Sequence, residues 1–423
     1  MNQLSLNRGY AFSRRAWMRG VGAAGILGLA RPLAAARLEK QQKRVLLLFQ
    51  HGGLSQLESW DPKPNTETGG PFRPISTSLP GTQVCELLPQ TARQMHHLSL
   101  LRGLKTGDSN HDTARVTMLT GWRQGMFGGE YPSMGAVCST LLSEKRQQPP
   151  FVVLAQRDQW HLKPLLDAAY LGPDHAPVVS FDEQPPDNAV PQPNISAQRR
   201  GRRQAIREQL NRRFSRGRTS AEVAAYESSF EKARQLVTQR GLFDVSGASK
   251  KDQRRYGTHA FGKRCLIARQ LLEADTTFVK LNHGNYDTHF ENFNHHLHRL
   301  EEFDRPFAAL IEDLADRGLL ESTLIIVTGE FGRTPRLNSS IGRDHWSDAW
   351  SIAIGGCGIK AGVTHGATNA TGTGVTKGQV GFGHLFHTFY SALGIDPHRE
   401  LENGEQPLKM FEEDGAPVKE VLA

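Results

Sequence analysis

Short apolar runs, each closed by glycine or polar residues, recur along the chain from residue 44 onwards. The first run, at 44–50, reads RVLLLFQ and stops at a histidine and two glycines. Runs of this length, bounded by glycine, are typical of strands buried on both faces of a parallel sheet. On this basis we predict strands at residues 44–50, 98–101, 151–154, 277–281, 323–328 and 351–355.

Helical patterns lie between these runs. Residues 304–317 carry apolar side chains at 307, 310, 311 and 314, and Gly318 follows as a helix C-cap. Residues 262–274 repeat the same period. Strands that alternate with helices predict an α/β fold around a mainly parallel sheet.

One stretch departs from this alternation. Residues 182–195 are rich in Pro, Asn and Asp and predict a loop, whereas residues 196–250 are polar, helical and Arg-rich. We interpret 182–250 as a loop and helical insertion within a single domain that spans 37–423.

The formal net charge of +8 suggests an anionic partner, but its distribution changes that picture. Residues 1–36 hold five Arg and no acid, and residues 199–218 hold nine Arg against one Glu. The rest of the chain has 37 basic and 42 acidic residues. For 199–218 a solvated helical face is favoured over binding of an anion or nucleic acid, because few aromatic residues are interleaved.

The N-terminal 36 residues are typical of an export signal. SRRAWMR at 13–19 is followed by a weakly apolar run at 20–30 and by small residues at 34–36. This order predicts a twin-arginine signal peptide with an A-x-A cleavage site, and hence a periplasmic or secreted protein. The apolar run is about half of the roughly 20 residues of a membrane-spanning helix, so no membrane span is expected after cleavage. The alternative is a basic amphipathic N-terminal helix.

The four cysteines, at positions 85, 138, 265 and 357, are far apart and form no CxxC pair. This spacing argues against a thiolate zinc site. An oxidising compartment would allow one or two disulfides.

Polar residues that can bind a metal follow several predicted strands. His51, Asp287 and Glu330 each come shortly after such a strand, and Asp344 and His345 lie together in a glycine-bounded loop. In open α/β sheets the functional site lies at the carboxyl ends of the strands. We therefore expect these side chains to meet at that edge.

The pair Asp287 and His289 could reach one cation from a single loop. Oxygen and nitrogen ligands together suit zinc, manganese or iron better than calcium. His295, His296 and His298 follow on a predicted helix. We interpret most of that histidine cluster as solvated surface.

Two further segments offer groups that could hold an anion. Arg333 presents a planar fork for an oxyanion, with a buried ion pair to Glu330 as the alternative. HDTARVTMLTG at 111–121 predicts a loop that enters a helix, where the helix dipole would favour an anion. Asp112 and Thr113 are ordinary N-caps, so His111 carries the additional information.

These segments resemble a known family in their identity and order. They are GGLSQLESWDPKP from residue 52, HDTARVTMLTG at 111–121, YGTHAFGKRCLIARQLLEA at 256–274, YDTH at 286–289, FGRTP after Glu330, GRDHW at 342–346 and LFHT at 385–388. Over roughly residues 44–400 the chain resembles the DUF1501 family of exported bacterial proteins, a branch of the alkaline phosphatase-like, or sulfatase-like, superfamily. The resemblance implies an alkaline phosphatase-like core with one or two divalent metal ions at the carboxyl edge of the sheet.

The resemblance also implies roles for individual residues. Asp287 and His345 fall where the superfamily keeps metal ligands, and Glu330 takes the place of a strand-end Asp. His51 takes the place of the Asp after the first strand. Phe331 stands where a second His is usual, which is a departure from the superfamily pattern.

A second departure concerns the nucleophile. Alignment without a gap puts His111 at the nucleophile position and Arg115 where sulfatases carry an Arg, and only a gap brings Thr113 there. No Ser or Cys stands at this position, which disfavours a standard sulfatase because these enzymes convert Cys or Ser to formylglycine. A phosphohistidine route through His111 and attack by a metal-activated water both remain open.

Together these features predict an exported metal-dependent hydrolase of a phosphate or sulfate ester. Its substrate would be a small anionic ester or a sulfated or phosphorylated glycan, and not a nucleic acid. The alternative is a non-catalytic member that binds a metal, glycan or protein partner in the cell envelope. The candidate catalytic residues are His111, Thr113, Arg115 and Arg333, and the candidate ligands of zinc, manganese or iron are His51, His111, Asp287, His289, Glu330, Asp344 and His345.

Overall fold

The predicted strands lie side by side in one eight-stranded sheet. The computed structural model describes residues 42–123, 131–143, 148–157, 168–186, 189, 195–214, 230, 234–402, 407–412 and 415–423. Its strands, numbered in chain order, are β1 (Arg44–Gln50), β2 (Pro74–Ser76), β3 (Gln83–Cys85), β4 (Leu98–Leu104), β5 (Phe151–Ala155), β6 (Val178–Phe181), β7 (Phe278–His283), β8 (Thr323–Thr328), β9 (Gly332–Arg333), β10 (His345–Trp346), β11 (Trp350–Gly356), β12 (Thr364–His365), β13 (Ala367–Thr368), β14 (Val375–Lys377), β15 (Glu400–Leu401) and β16 (Leu408–Lys409). Its α-helices include α1 (Pro89–Gln94), α2 (His111–Thr120), α3 (Met134–Leu142), α4 (Ala197–Phe214), α5 (Lys250–Tyr256), α6 (Ala260–Glu273), α7 (Asn292–Asp316) and α8 (Phe382–Ala392).

The strand order across the main sheet is β12-β4-β11-β8-β1-β7-β5-β6. β1 pairs in parallel with β7 and β8, and β5 pairs in parallel with β6 and β7. β11 runs antiparallel to both of its neighbours, β4 and β8. The predicted α/β fold with a mainly parallel sheet is therefore confirmed.

Helices cover both faces of this sheet. Leu46 and Leu48 of β1 belong to a core that includes residues of α6 and α7. Val45, Leu47 and Phe49 belong to a second core, with residues of α2, α3 and α8. Burial on both faces explains why the run in β1 is continuously apolar instead of alternating.

The strand predicted at 351–355 points the opposite way from its neighbours. Because β11 is antiparallel to β8, its glycine-rich C-terminal end lies at the edge opposite the carboxyl ends of β1, β7 and β8. The segment that precedes β11 therefore reaches the carboxyl edge of the parallel strands. This is how Asp344 and His345 come to that edge although they precede a strand.

Helix α7 is longer than the pattern at 304–317 predicts. It begins at Asn292 and contains Pro306, so the histidine-rich segment and the apolar segment form one helix. It ends just before Gly318, whose φ of 66° is the left-handed conformation typical of a helix C-terminus. The predicted helix at 262–274 agrees with α6 to within two residues.

Helix α4 lies in the predicted Arg-rich insertion. All of its side chains that the structure describes are partly or fully exposed, as expected for a solvated helical face. Residues 215–229 of the insertion and the predicted signal peptide at 1–36 lie outside the described residues. Across the described ranges, no helix combines the length and apolar character that crossing a membrane requires.

The four cysteines are all free and buried. The disulfides that an oxidising compartment would allow are therefore not formed. Burial raises the pKa of the Cys85 thiol to about 12, and it also raises the pKa values of the Cys138 and Cys265 thiols. These thiols serve as small core residues and are chemically inert.

Candidate metal centre

Three adjacent strands bring polar side chains to one edge of the sheet. β1 lies between β7 and β8, and His51, Asp287 and Glu330 follow these three strands in the chain. The Gly52 N–H donates to Glu330 Oε1 at 3.0 Å, which ties two of the loops together. Gly52 has a φ of 104°, and a Cβ atom there would lie 2.6 Å from the Asp287 nitrogen. Only glycine allows the loops to approach this closely.

His111 enters this edge as the first residue of α2. The Asn110 side chain caps the helix by accepting from the backbone N–H groups of Asp112 and Thr113. His111 Nδ1 lies 2.6 Å from Glu330 Oε1, and because a carboxylate only accepts, Nδ1 carries the proton. His111 Nε2 then lies 3.3 Å from an oxygen of Asp287, and it has no hydrogen-bond partner among the described residues.

His345 reaches the same carboxylate from the short strand β10. That strand pairs with β9, which places His345 opposite Arg333. His345 Nδ1 lies 2.7 Å from the Ser109 carbonyl oxygen and must donate to it. His345 Nε2 lies 3.2 Å from Asp287 Oδ1.

His289 adds a third imidazole with the same orientation. Its Nδ1 donates to Asp344 Oδ1 at 2.7 Å, and its Nε2 lies 3.1 Å from Asp287 Oδ1 and 2.9 Å from His345 Nε2. Asp344 is itself held by the side chain of Asn338 at 3.1 Å. His289 therefore has a fixed tautomer, with Nε2 directed at the cluster.

This geometry fits a divalent metal ion. Ligand atoms that surround one ion at 2.0–2.1 Å lie about 2.9–3.4 Å from each other. His111, Asp287 and His345 each offer one ligand atom, and these three atoms lie within 4.8 Å of one another. Each imidazole has its Nδ1 bonded to a carboxylate or a carbonyl, which is the arrangement that orients metal-binding histidines.

The charges of the cluster show the same preference for a cation. Burial disfavours a charge on His111, but the carboxylates of Asp287 and Glu330 outweigh burial and raise the pKa of His111 to about 9. Burial also opposes the negative charge of Asp287, yet His111, His345 and Arg333 hold the pKa of Asp287 well below its usual range. Without a metal, a proton on His111 partly fills the place of a cation.

Arg333 holds Asp287 from behind and has its donors engaged. It is fully buried, and its Nη2 donates to Asp287 and to the Gly52 carbonyl. Its Nε and Nη1 donate to the carbonyls of Gly53 and Arg343 at 3.1 and 3.0 Å. This geometry favours positioning of Asp287 over the predicted contact with a substrate oxyanion.

His51 and Arg115 form a second layer beneath the cluster. Arg115 Nη1 donates to His51 Nε2 at 2.7 Å, so the His51 proton lies on Nδ1, 3.7 Å from Glu330 Oε1. Burial lowers the pKa of His51 to about 4 despite the attraction of Glu330. His51 is therefore neutral and oriented by Arg115. It faces Glu330, which in turn accepts from His111 in the cluster around Asp287.

Two neighbours of His111 differ in their contacts. The buried ring of Phe331 packs at 4.8 Å from the ring of His111 and 4.7 Å from that of His345, and so supports both imidazoles. The Thr113 hydroxyl faces the Asn110 carbonyl at 3.5 Å. Of the two candidates for the nucleophile position, His111 is the one that contacts Asp287.

The predicted surface histidines include one that is buried. His296 accepts from the Ser55 N–H at 3.1 Å and donates to the Asn292 carbonyl at 2.9 Å. Both ring nitrogens are used within the protein, so His296 fixes the loop after β1 to α7. His295 and His298 are partly or fully exposed, as predicted.

Sequence reasoning missed Lys280, which is 1% exposed in β7. Its ammonium lies 4.9 Å from the centre of the Phe49 ring. Burial lowers its pKa to about 7, although Glu330 attracts the charge. The available signal was a single charged residue within an otherwise apolar strand.

The fold and the site together place this protein among α/β proteins that have a mainly parallel sheet and gather histidines and carboxylates at its carboxyl edge. The chain belongs to the family described as "Protein of unknown function (DUF1501)", which matches residues 42–422. The family predicted from the motifs is thereby confirmed. No curated protein matches the chain in sequence.

Several solved structures are similar to this chain at low identity. They include the PsFucS1 sulfatase from Pseudoalteromonas sp., at 13% identity and a TM-score of 0.40, covering 86% of this chain and 71% of that one. A protein in the alkaline phosphatase superfamily from Vibrio parahaemolyticus has 10% identity and a TM-score of 0.39, covering 84% of this chain and 67% of that one. The alkaline phosphatase from the Antarctic bacterium TAB5 has 11% identity and a TM-score of 0.36, covering 84% of this chain and 100% of that one.

Proposed function

We propose that this chain is an exported metal-dependent hydrolase of phosphate or sulfate esters. The supporting observation is the common orientation of His111, His289 and His345. The Nδ1 atom of each is bonded to an acceptor, and the Nε2 atom of each lies 3.1 to 3.3 Å from Asp287 Oδ1. Imidazole lone pairs and a carboxylate oxygen repel each other at this distance unless a proton or a metal ion lies among them.

The residues divide into those that would hold the ion and those that orient them. The Nε2 atoms of the three histidines and the carboxylate of Asp287 would bind zinc, manganese or iron. When bound, such an ion would polarise an ester oxygen and lower the pKa of a water molecule. Glu330, Asp344 and the Ser109 carbonyl keep the three rings in place through their Nδ1 atoms.

Positive charge for an ester oxyanion would come from Arg115. Its Nη1 donates to His51 and its Nη2 donates to Asp112 at 2.5 Å, so the guanidinium is fixed. Its position under the N-terminus of α2 adds to the positive end of the helix dipole. We propose that Arg115 neutralises the substrate from below, while Arg333 positions Asp287.

The geometry favours direct attack by water over a covalent route. A phosphohistidine at His111 would require Nε2, which is also the atom that faces Asp287. The Thr113 hydroxyl is turned to its own helix terminus and contacts Asn110. Direct attack by water would leave His111 Nε2 free to hold the metal ion.

Elemental analysis of protein purified from the periplasm without chelators tests the proposal. We expect about one equivalent of zinc, manganese or iron, lost in Asp287→Ala and His345→Ala. The matched control is His298→Ala, which removes an exposed histidine of α7 and should keep the metal. The loaded protein should hydrolyse p-nitrophenyl phosphate or p-nitrophenyl sulfate. A folded, metal-free and inactive wild-type protein would contradict the proposal.

A second candidate function is metal-dependent binding without hydrolysis. Among the described residues, the side chains that form ion pairs with Asp287 are three imidazoles and a guanidinium, and none of them is a hydroxyl or a thiol. Such a protein would hold its metal and bind a glycan or protein partner in the cell envelope. A metal-replete protein that leaves a broad panel of esters intact would support this candidate.

A further inference from the structure

A cavity of about 630 Å³ lies next to the candidate metal centre and shares Asp287 with it. Its other lining residues come from the loop after β7 and from the first turns of α7. They are Asn285, Glu291, Asn294, His295, His298 and Arg299. The cavity volume lies within the range of small-molecule sites, which is roughly 300–1,000 Å³.

The lining offers both hydrogen-bond donors and acceptors. Asn285 and Asn294 each present an amide that both donates and accepts, and Glu291 accepts. Arg299 donates, and it is held in place by Glu302 at 3.0 Å. The opposite charges of Glu291 and Arg299 disfavour a strongly anionic occupant. A neutral group with several hydroxyls matches this lining, because each hydroxyl also donates and accepts.

An apolar rim borders the same region. Phe290 is 57% exposed, and its ring lies edge-on to that of His295 with centroids 5.5 Å apart. Ile341 is 58% exposed, and its carbonyl accepts from the Asn292 N–H at 3.0 Å, which links the two segments. An exposed aromatic ring beside hydrogen-bonding groups suits a ring with a C–H face and a hydroxyl edge.

The backbone of this rim is held in an unfavourable conformation. Ile341 has a φ of 53°, a left-handed value that is strained for a β-branched residue. Asn285 and Glu291 also have left-handed φ values of 68° and 46°. Strain of this kind is concentrated at functional sites, where the surrounding structure maintains it.

We propose that this cavity binds the alcohol portion of the ester, and that this portion is a sugar or a similar polyol. The assignment rests on the proposed function for the identity of the ester, but polyol binding in the cavity does not require hydrolysis. The cavity would therefore set substrate preference, whereas the metal centre would act on the ester group.

The kinetic test compares two kinds of ester in one double variant. Asn294→Ala with His298→Ala should raise KM about 10-fold or more for the 6-phosphates or 6-sulfates of glucose and galactose, since one lost hydrogen bond weakens binding about 3- to 10-fold. Its kcat/KM for p-nitrophenyl phosphate or sulfate should fall much less, because the p-nitrophenyl group has no hydroxyl that could lose a hydrogen bond. Glu301→Ala, at an exposed position of α7 outside the lining, is the matched control.

A binding test separates failure of this proposal from failure of the proposed function. Saturation-transfer NMR of metal-free protein with methyl glycosides of glucose, galactose and fucose should show transfer that the double variant loses. Transfer without hydrolysis of any ester would support the cavity and overturn the hydrolase. Absence of transfer from every glycoside, or an equal loss for sugar and p-nitrophenyl esters, would overturn the cavity proposal.

Discussion

Glu58 and Asp287 are carboxylates that each pair with an arginine from the segment after β8, Arg343 and Arg333 respectively. Glu58 and Arg343 are both almost completely buried and share two hydrogen bonds, of 3.1 and 2.8 Å. Asp287 is 46% exposed, and three imidazoles crowd around it in addition to the guanidinium. The two carboxylates therefore differ in how completely their partners are matched.

The difference distinguishes an ion pair that stabilises the fold from a cluster that is suited to binding a ligand. All five donors of Arg343 are used, because its remaining N–H groups reach the carbonyls of Thr68, Thr334 and Pro335. The cluster at Asp287 instead directs the Nε2 atoms of three imidazoles at one half-exposed carboxylate. A complete ion pair fixes the backbone, and an incomplete cluster with an open side is suited to binding a cation.

Removal of one charge from the complete pair should have the largest effect. Glu58→Gln leaves a buried guanidinium without its counter-charge, and we expect it to lower the free energy of unfolding by about 3–5 kcal/mol. Chemical denaturation of metal-free protein measures this loss. A loss below about 1 kcal/mol would show that the backbone carbonyls alone satisfy Arg343.

The corresponding change at the incomplete cluster provides the control. Asp287→Asn also takes the counter-charge from a buried guanidinium, that of Arg333, but Asp287 is 46% exposed and solvent screens its charge. Its cost in the metal-free protein should therefore be smaller than that of Glu58→Gln. Equal losses in the two variants would contradict the distinction between the two sites.

Lys280 can be compared with Arg343, because it is a buried charge without the matched partner that Arg343 has. Its folded-state pKa of about 7 lies below that of an exposed lysine, so burial of the charged amine costs most below pH 7. Lys280→Met should raise the free energy of unfolding by about 1–4 kcal/mol at pH 6. The gain should shrink as the pH rises from about 7 towards 10.5, where the unfolded amine also loses its proton. A gain that does not change with pH would contradict this explanation.

The smallest effect is expected where a carboxylate acts on the centre through a histidine. Glu330→Gln keeps an acceptor for His111 Nδ1 but removes the negative charge, and should weaken metal affinity about 10- to 100-fold. Competition with a chelator of known affinity measures the change. His298→Ala should leave the affinity unchanged, and a Glu330→Gln variant with wild-type affinity would exclude a contribution of the Glu330 charge to metal binding.

Much of the fold was predictable because hydrophobic periodicity is a local property. The continuous apolar runs in β1, β7 and β8 indicate strands buried on both faces, and parallel strands place their carboxyl ends together. That rule brought His51, Asp287 and Glu330 to one edge. It did not indicate that β11 is antiparallel, since strand direction depends on the path of the chain between strands.

Which carboxylates would bind the metal and which orient the histidines was not predictable in the same way. Asp344 and Glu330 have the same chemistry as Asp287, and a position next to a strand end suits a ligand and an orienting residue equally. Their bonds to His289 and His111 span 55 and 219 positions of the chain. Such contacts exist only after the sheet has assembled.

Residue types, strand positions and family membership therefore follow from the order of residues along the chain. Which nitrogen of each histidine faces the centre follows from folding. The His345 tautomer depends on the Ser109 carbonyl, which is 236 residues away, and the rings of His111 and His345 rest on Phe331. A metal centre requires lone pairs from distant segments to converge within a few ångströms, and only long-range packing sets distances on that scale.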